Sequence, residues 1–133
     1  MTEPQAVNPS NPETLVKSYL EAFETRDLDR CLDYFADDCA VDFQGTLFRG
    51  REEIAGWHRD RFSANLRVLR LESIKFDGDT VVIDVVIASD RLQAWKLKSL
   101  NGRITVRVEG DKIKRAELAA RMTNIFDMLR AGE

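Results

Sequence analysis

The sequence predicts an α+β domain in which helices gather on one face of a curved antiparallel sheet. Apolar residues recur at helical spacing through the first half of the chain, and after Asn65 the period changes to two. The pairs Asp77-Gly78 and Gly110-Asp111 punctuate that second half as hairpin turns. At 133 residues the chain has room for one hydrophobic core. Residues 1–10 therefore read as a loose, polar, proline-bearing arm, and 11–133 as a single domain.

Each element has a local reason. Asn11-Pro12 opens the first helix with a cap and then a proline at the first helical position, where the missing N–H costs nothing. Leu15, Val16, Tyr19, Leu20 and Phe23 share one of its faces, and it runs to about Thr25. Asp27 caps a second helix with Leu28, Cys31, Leu32 and Phe35 as its stripe, ended by Ala36-Asp37-Asp38. Cys39 to Phe43 alternates as a short strand, which Gln44-Gly45 turns into another through Leu47 and Phe48. Gly50 starts a third helix with Glu52 and Glu53 in its first turn, complementing the helix dipole, and with Ile54, Trp57, His58 and Phe62 inward.

Leu66 to Phe76 and Thr80 to Ser89 then form a hairpin around Asp77-Gly78-Asp79. Gln93 to Glu109 reads as one long strand, in which Asn101-Gly102 is either a turn or a bulge that bends the sheet. Lys112 to Arg121 is the last strand, and Thr123 caps a closing helix bearing Ile125, Phe126, Met128 and Leu129. In Thr80 to Ser89 both faces are apolar: Val81, Ile83, Val85 and Ile87 on one, Val82, Asp84, Val86 and Ala88 on the other. Both faces therefore need cover. Helices cover one, and the simplest cover for the outer one is a second copy of the chain in a homodimer. The alternative is that the C-terminal helix or the N-terminal arm folds back over it.

Composition excludes several functions. Twenty Lys and Arg stand against 23 Asp and Glu, for a net charge of −3, so a nucleic-acid partner is not expected. No apolar run approaches the ~20 residues that span a bilayer, and the first dozen residues show no export signal, so a cytoplasmic protein without a membrane partner is expected. Cys31, Cys39 and His58 match no metal-ligand spacing, and Gly-rich phosphate loops and nucleophile elbows are missing. Neither a metal nor any other cofactor is expected. The cysteines read as small buried hydrophobes in a reducing compartment.

Several stretches carry a family resemblance. Lys17-Ser18-Tyr19-Leu20-Glu21, Leu28-Asp29-Arg30-Cys31-Leu32, Tyr34-Phe35-Ala36-Asp37-Asp38, Phe48 through Ile54 and the hairpin Glu109 to Ile113 resemble the NTF2-like superfamily, in its SnoaL-like and ketosteroid-isomerase-like branches. The likeness runs from about Leu15 to Arg121. It implies an NTF2-like, or cystatin-like, cone: a strongly curved antiparallel sheet closed by three helices, with a deep pocket at one end. It says little about function, because members include isomerases, cyclases, hydrolases, dehydratases and binding modules.

By that resemblance, Tyr19 stands where ketosteroid isomerases hold the enolate oxygen. Their proton-shuttling aspartate falls at Phe43 and their second oxyanion acid at Ile104, so steroid isomerisation is not expected. A local shift in the first strand brings Asp42 to the base position, whereas the unshifted register turns Val41 and Phe43 inward. His58 falls where those enzymes place a tyrosine bonded to the helix-one tyrosine. The same correspondence puts Val82, Asp84, Val86 and Ala88 on the concave face.

Tyr19, His58 and Asp84 are therefore the candidate catalytic groups. His58 or Asp84 acts as general base and Tyr19 steadies developing negative charge. Phe35, Phe43, Trp57, Phe62, Val86, Ile104 and Leu118 line a pocket for a small, largely apolar molecule. This composes a cofactor-free isomerase, cyclase or lyase. The competing reading is a non-catalytic dimerisation or ligand-binding module, with His58 and Tyr19 spent on the core and Asp84 paired with an arginine such as Arg107. Arg59, Arg61, Arg67 and Arg70 read as a solvated face.

Overall fold

The computed structural model describes residues 12–120. The expected arm, the Asn11 cap and the helix after Thr123 lie outside the described residues. The helices are α1 (Pro12–Glu24), α2 (Leu28–Asp33), α3 (Gly50–Ser63) and α4 (Asp90–Ala94). The strands are β1 (Phe35–Phe43), β2 (Thr46–Arg49), β3 (Arg67–Asp77), β4 (Thr80–Ala88), β5 (Leu100–Glu109) and β6 (Lys112–Ala120).

All six strands join one curved sheet in the order β2-β1-β6-β5-β4-β3. The meander β3 to β6 is antiparallel, as its turns dictate, but β1 lies parallel to β6. A parallel neighbour needs a long crossover, and the chain between the two strands supplies it. The expectation of a wholly antiparallel sheet is corrected at this one pairing. Helices α1 and α3 cover the concave face. Leu15, Val16, Ala22 and Phe23 of α1, with Ile54 and Trp57 of α3, bury against Val41, Val81, Ile83, Val85, Val106 and Ile113 of the sheet.

Some local expectations change. Phe35 and the acidic run after it belong to β1, because pairing with β6 overrides the helical stripe. Ile113 N donates to Tyr34 O at 2.6 Å, Lys114 pairs with Asp38, and a register shift between Phe35 and Ala40 accommodates the irregular stretch. The stretch from Gln93 is not strand. The Ser89 hydroxyl accepts from Leu92 N at 3.2 Å and caps α4, so strand pairing resumes only at Leu100. Asn101-Gly102 is neither turn nor bulge: it runs extended within β5, in register with Val86 and Val85.

The facing of β4 is the main correction. Val81, Ile83 and Val85 are 0, 0 and 1% exposed and point into the core, so strand alternation puts Val82, Asp84, Val86 and Ala88 on the outer face, where Val86 and Ala88 are nonetheless buried. The pairings show why. Ile83 lies between Ile74 and Ile104, an apolar row, whereas Asp84 lies between Ser73 and Arg103. Turning the strand over would strip the carboxylate of water and of its cation together.

Candidate functional site

The inner face of the sheet and helices α1 and α3 border a partly open cavity of about 90 Å³. Phe43, Trp57, Ile104 and Leu118 line it, as does Tyr19. Phe35 walls an adjoining smaller hollow that shares Tyr19, Trp57, Ile104 and Leu118. Phe62 stands behind this wall, its ring centroid 5.1 Å from that of Phe23. The cavity is nearly all apolar, and it falls short of the ~300 Å³ at which drug-sized ligand pockets begin.

Tyr19 and His58 meet. Tyr19 comes from the buried face of α1 and His58 from that of α3, and Tyr19 Oη lies 2.6 Å from His58 Nε2. The other ring nitrogen, Nδ1, is 2.7 Å from the Ile54 carbonyl one turn back along α3. A carbonyl only accepts, so Nδ1 carries the hydrogen and donates. His58 is fully buried among Tyr19, Phe23, Phe35, Trp57 and Phe62, and that burial pushes its pKa down against the opposing pull of the Ile54 bond. Burial, and then the neighbouring Cys31, push Tyr19 well above the usual phenol value. Both groups are neutral at pH 7. Nε2 is then a bare acceptor and Tyr19 O–H donates to it.

Asp84 is not with them, and neither is Val86. Arg103 Nε donates to Asp84 Oδ1 at 2.8 Å, Arg103 Nη2 to Oδ2 at 3.1 Å, and Ser73 Oγ to Oδ2 at 3.1 Å. Asp84 thus pairs with an arginine on the outer face, though with Arg103 and not Arg107, whose own partner is Asp79. The expected pocket base is replaced by a cross-strand ion pair in which the carboxylate is 15% exposed. Asp42 also faces outward, accepting from Gly45 N at 2.9 Å to hold the β1–β2 turn, while Phe43 faces in.

Sequence reasoning missed several wall residues. Val85 and Ile87 line the cavity together with Val68, Leu66 and Gly102. The signal for the first two was present: of the two faces of β4, only one is free of charge. Arg61 was also misplaced. It is 7% exposed, its guanidinium 4.5 Å from the Phe43 ring centroid and 5.7 Å from that of Trp57, with Asp60 as its ion pair. The expected solvated face does not include it, because the aromatic rings provide a surface for its planar cation. Burial raises the Cys31 thiol to about 12 and also raises Cys39, so both stay protonated and unreactive. Among the described residues no group of three His, Cys, Asp or Glu could hold a metal ion, and no helix is long and apolar enough to cross a membrane.

A curved six-stranded sheet covered by helices defines an NTF2-like protein. The SnoaL-like domain model matches residues 16–116, and the chain belongs to that family. Solved structures agree on the fold. A candidate polyketide cyclase from Xanthomonas campestris superposes with a TM-score of 0.72 at 20% identity, covering 90% of this chain and 97% of that one. An NTF2-like protein of unknown function from Cytophaga hutchinsonii gives 0.68 at 12% identity, covering 87% and 95%. A de novo designed protein with a curved β-sheet gives 0.67 at 18%, covering 96% and 99%. Among curated proteins none matches the chain.

Proposed function

We propose that this SnoaL-like protein binds a small, largely apolar molecule in the cavity between α1, α3 and the sheet. The observation that carries the reading is a nearly all-apolar hollow lined by Tyr19, Phe43, Trp57, Ile104 and Leu118, beside the Tyr19–His58 hydrogen bond. Aromatic and aliphatic walls supply the binding energy and the tyrosine supplies orientation. A compound that binds only the folded state raises the melting temperature by mass action. A thermal-shift panel of small neutral cyclic compounds is expected to contain such compounds. Ile104→Trp, which fills the cavity, is expected to abolish their effect. A panel in which none stabilises the protein, or all stabilise the filled variant equally, overturns the reading.

A second reading, cofactor-free isomerase, cyclase or lyase chemistry, is favoured by the 2.6 Å Tyr19–His58 bond. A substrate proton taken up by the Tyr19 oxygen, as the phenol proton passes to His58 Nε2, leaves a neutral tyrosine and an imidazolium. His58 is then the base, acting through Tyr19, and no carboxylate is needed. Deuterium exchange of an acidic C–H in a bound compound, faster with the protein than in buffer and lost in His58→Gln, supports this reading. Equal rates sink it.

We further infer that two copies pair across the outer sheet face. In support, that face carries both signs of charge, Arg103, Arg107 and Arg115 with Asp42, Asp84 and Glu117, an arrangement that can be self-complementary about a twofold axis.

A further inference from the structure

Resting on the pocket reading above, we propose that Gly102 sets the size limit of the cavity and that the ligand seats an uncharged hydrocarbon ring or chain against it. Along β5 the inward row reads Leu100, Gly102, Ile104, Val106 and Val108. One position in that row lacks a side chain, and it lies in the cavity wall. Gly102 stands in register with Val85 on β4 and Ala120 on β6, both of which line the same hollow. A β-carbon on Gly102 would lie 3.8 Å from a Val85 methyl, on the cavity side of the sheet, and 3.7 Å from Ala119 O. Both are ordinary contacts, and no other described atom comes within 4 Å.

The backbone gives no other reason for a glycine here. Gly102 is not among the residues with positive φ, and in the interior of a strand glycine costs conformational entropy and side-chain packing. What it supplies is room, so a ligand atom can take the place of the missing side chain. The chemistry of that atom follows from the wall. Because β5 lies between β4 and β6, the N–H and C=O of Gly102 belong to the sheet ladders, and neither is offered to a ligand. The ligand meets the Gly102 α-carbon flanked by Leu100, Ile104 and Val85, a surface that suits hydrocarbon and penalises an unpartnered polar group.

Gly102→Ala tests this through two measurements of opposite sign. Without ligand, the variant is expected to keep or raise the urea midpoint, because the methyl group fits and the unfolded chain has less entropy to lose. Benzene, toluene, ethylbenzene and propylbenzene form a series graded in size. Each is titrated into both proteins and followed by the methyl NMR signals of Val85 and Ile104. The largest of the four that the wild type binds is expected to bind Gly102→Ala about tenfold or more weakly, the usual worth of one methylene in an apolar pocket. A weaker ligand in a protein no less stable marks a size limit, whereas damage to the fold lowers both quantities. An affinity for that compound that is unchanged or higher, or a lower urea midpoint, overturns this proposal and leaves the pocket intact. Binding of none of the four to the wild type overturns both.

Discussion

His58 shows how one buried side chain sets the chemistry of its surroundings. Its ring bridges two helices through Tyr19 and Ile54, and in the neutral form it does so by accepting from Tyr19 at Nε2 and donating from Nδ1. Because burial depresses its pKa in the folded state, the unfolded chain takes up a proton first as pH falls past about 6.5. Its contribution to stability is complete above that pH and is lost progressively below it. Urea midpoints are therefore expected to fall between pH 7 and 5.5, with a slope of at most about 1.4 kcal/mol per pH unit for one proton. In His58→Gln this dependence should flatten. Asp38 and Asp60, held below the usual carboxylate range by Lys114 and Arg91, act only at lower pH and do not blur the window. The Tyr19–His58 partnership was legible through the family resemblance, which places at His58 a tyrosine bonded to the helix-one tyrosine, while the apolar stripes showed only that both residues face inward. The direction of their hydrogen bond was not, since it depends on a backbone carbonyl one turn away.

At the scale of elements, local pattern and tertiary pairing divide the credit. Helices α1 and α3 and the β3–β4 hairpin were readable because turn residues and apolar period agreed there. The reading failed where a partner distant in sequence decides the structure. The start of β1 is extended because β6 pairs with it, and the facing of β4 follows from Ile74 and Ile104 on one side and Ser73 and Arg103 on the other. A strand apolar on both faces does not itself say which face is inside. The outward facing of Asp84 has a direct check. Asp84→Asn keeps the shape, removes the charge that Arg103 pairs with, and should leave the stabilisation by pocket-binding compounds unchanged in the thermal-shift panel. A large loss of affinity would put the carboxylate back in the cavity.

The whole molecule raises the question of the second copy. The apolar outer face that motivated a dimer is smaller than the sequence suggested: Val86 is already 3% exposed within one chain, and β5 and β6 turn arginines outward. If pairing occurs through this face, charge complementarity contributes to it and salt weakens it. Light scattering is expected to report twice the 15.2 kDa chain mass at low ionic strength, and Arg103→Glu should shift the equilibrium toward monomer. A monomer under all conditions removes the dimer. A de novo designed protein with a curved β-sheet is similar in fold, and fold alone does not argue activity, which has to be argued from the cavity.

Gly102 bears on what that cavity costs. It sits in β5 facing the hollow, where a β-carbon would meet only Ala119 O at 3.7 Å and a Val85 methyl at 3.8 Å, both ordinary contacts. Nothing in the backbone demands glycine there. The hollow is partly open, and its lining residues forgo part of the packing that a filled core would give them. The chain carries this deficit while empty, and a molecule that fits the hollow repays it. Occupancy is then coupled to folding itself, and the filled protein should be the longer-lived one in a cell that degrades unfolded chains.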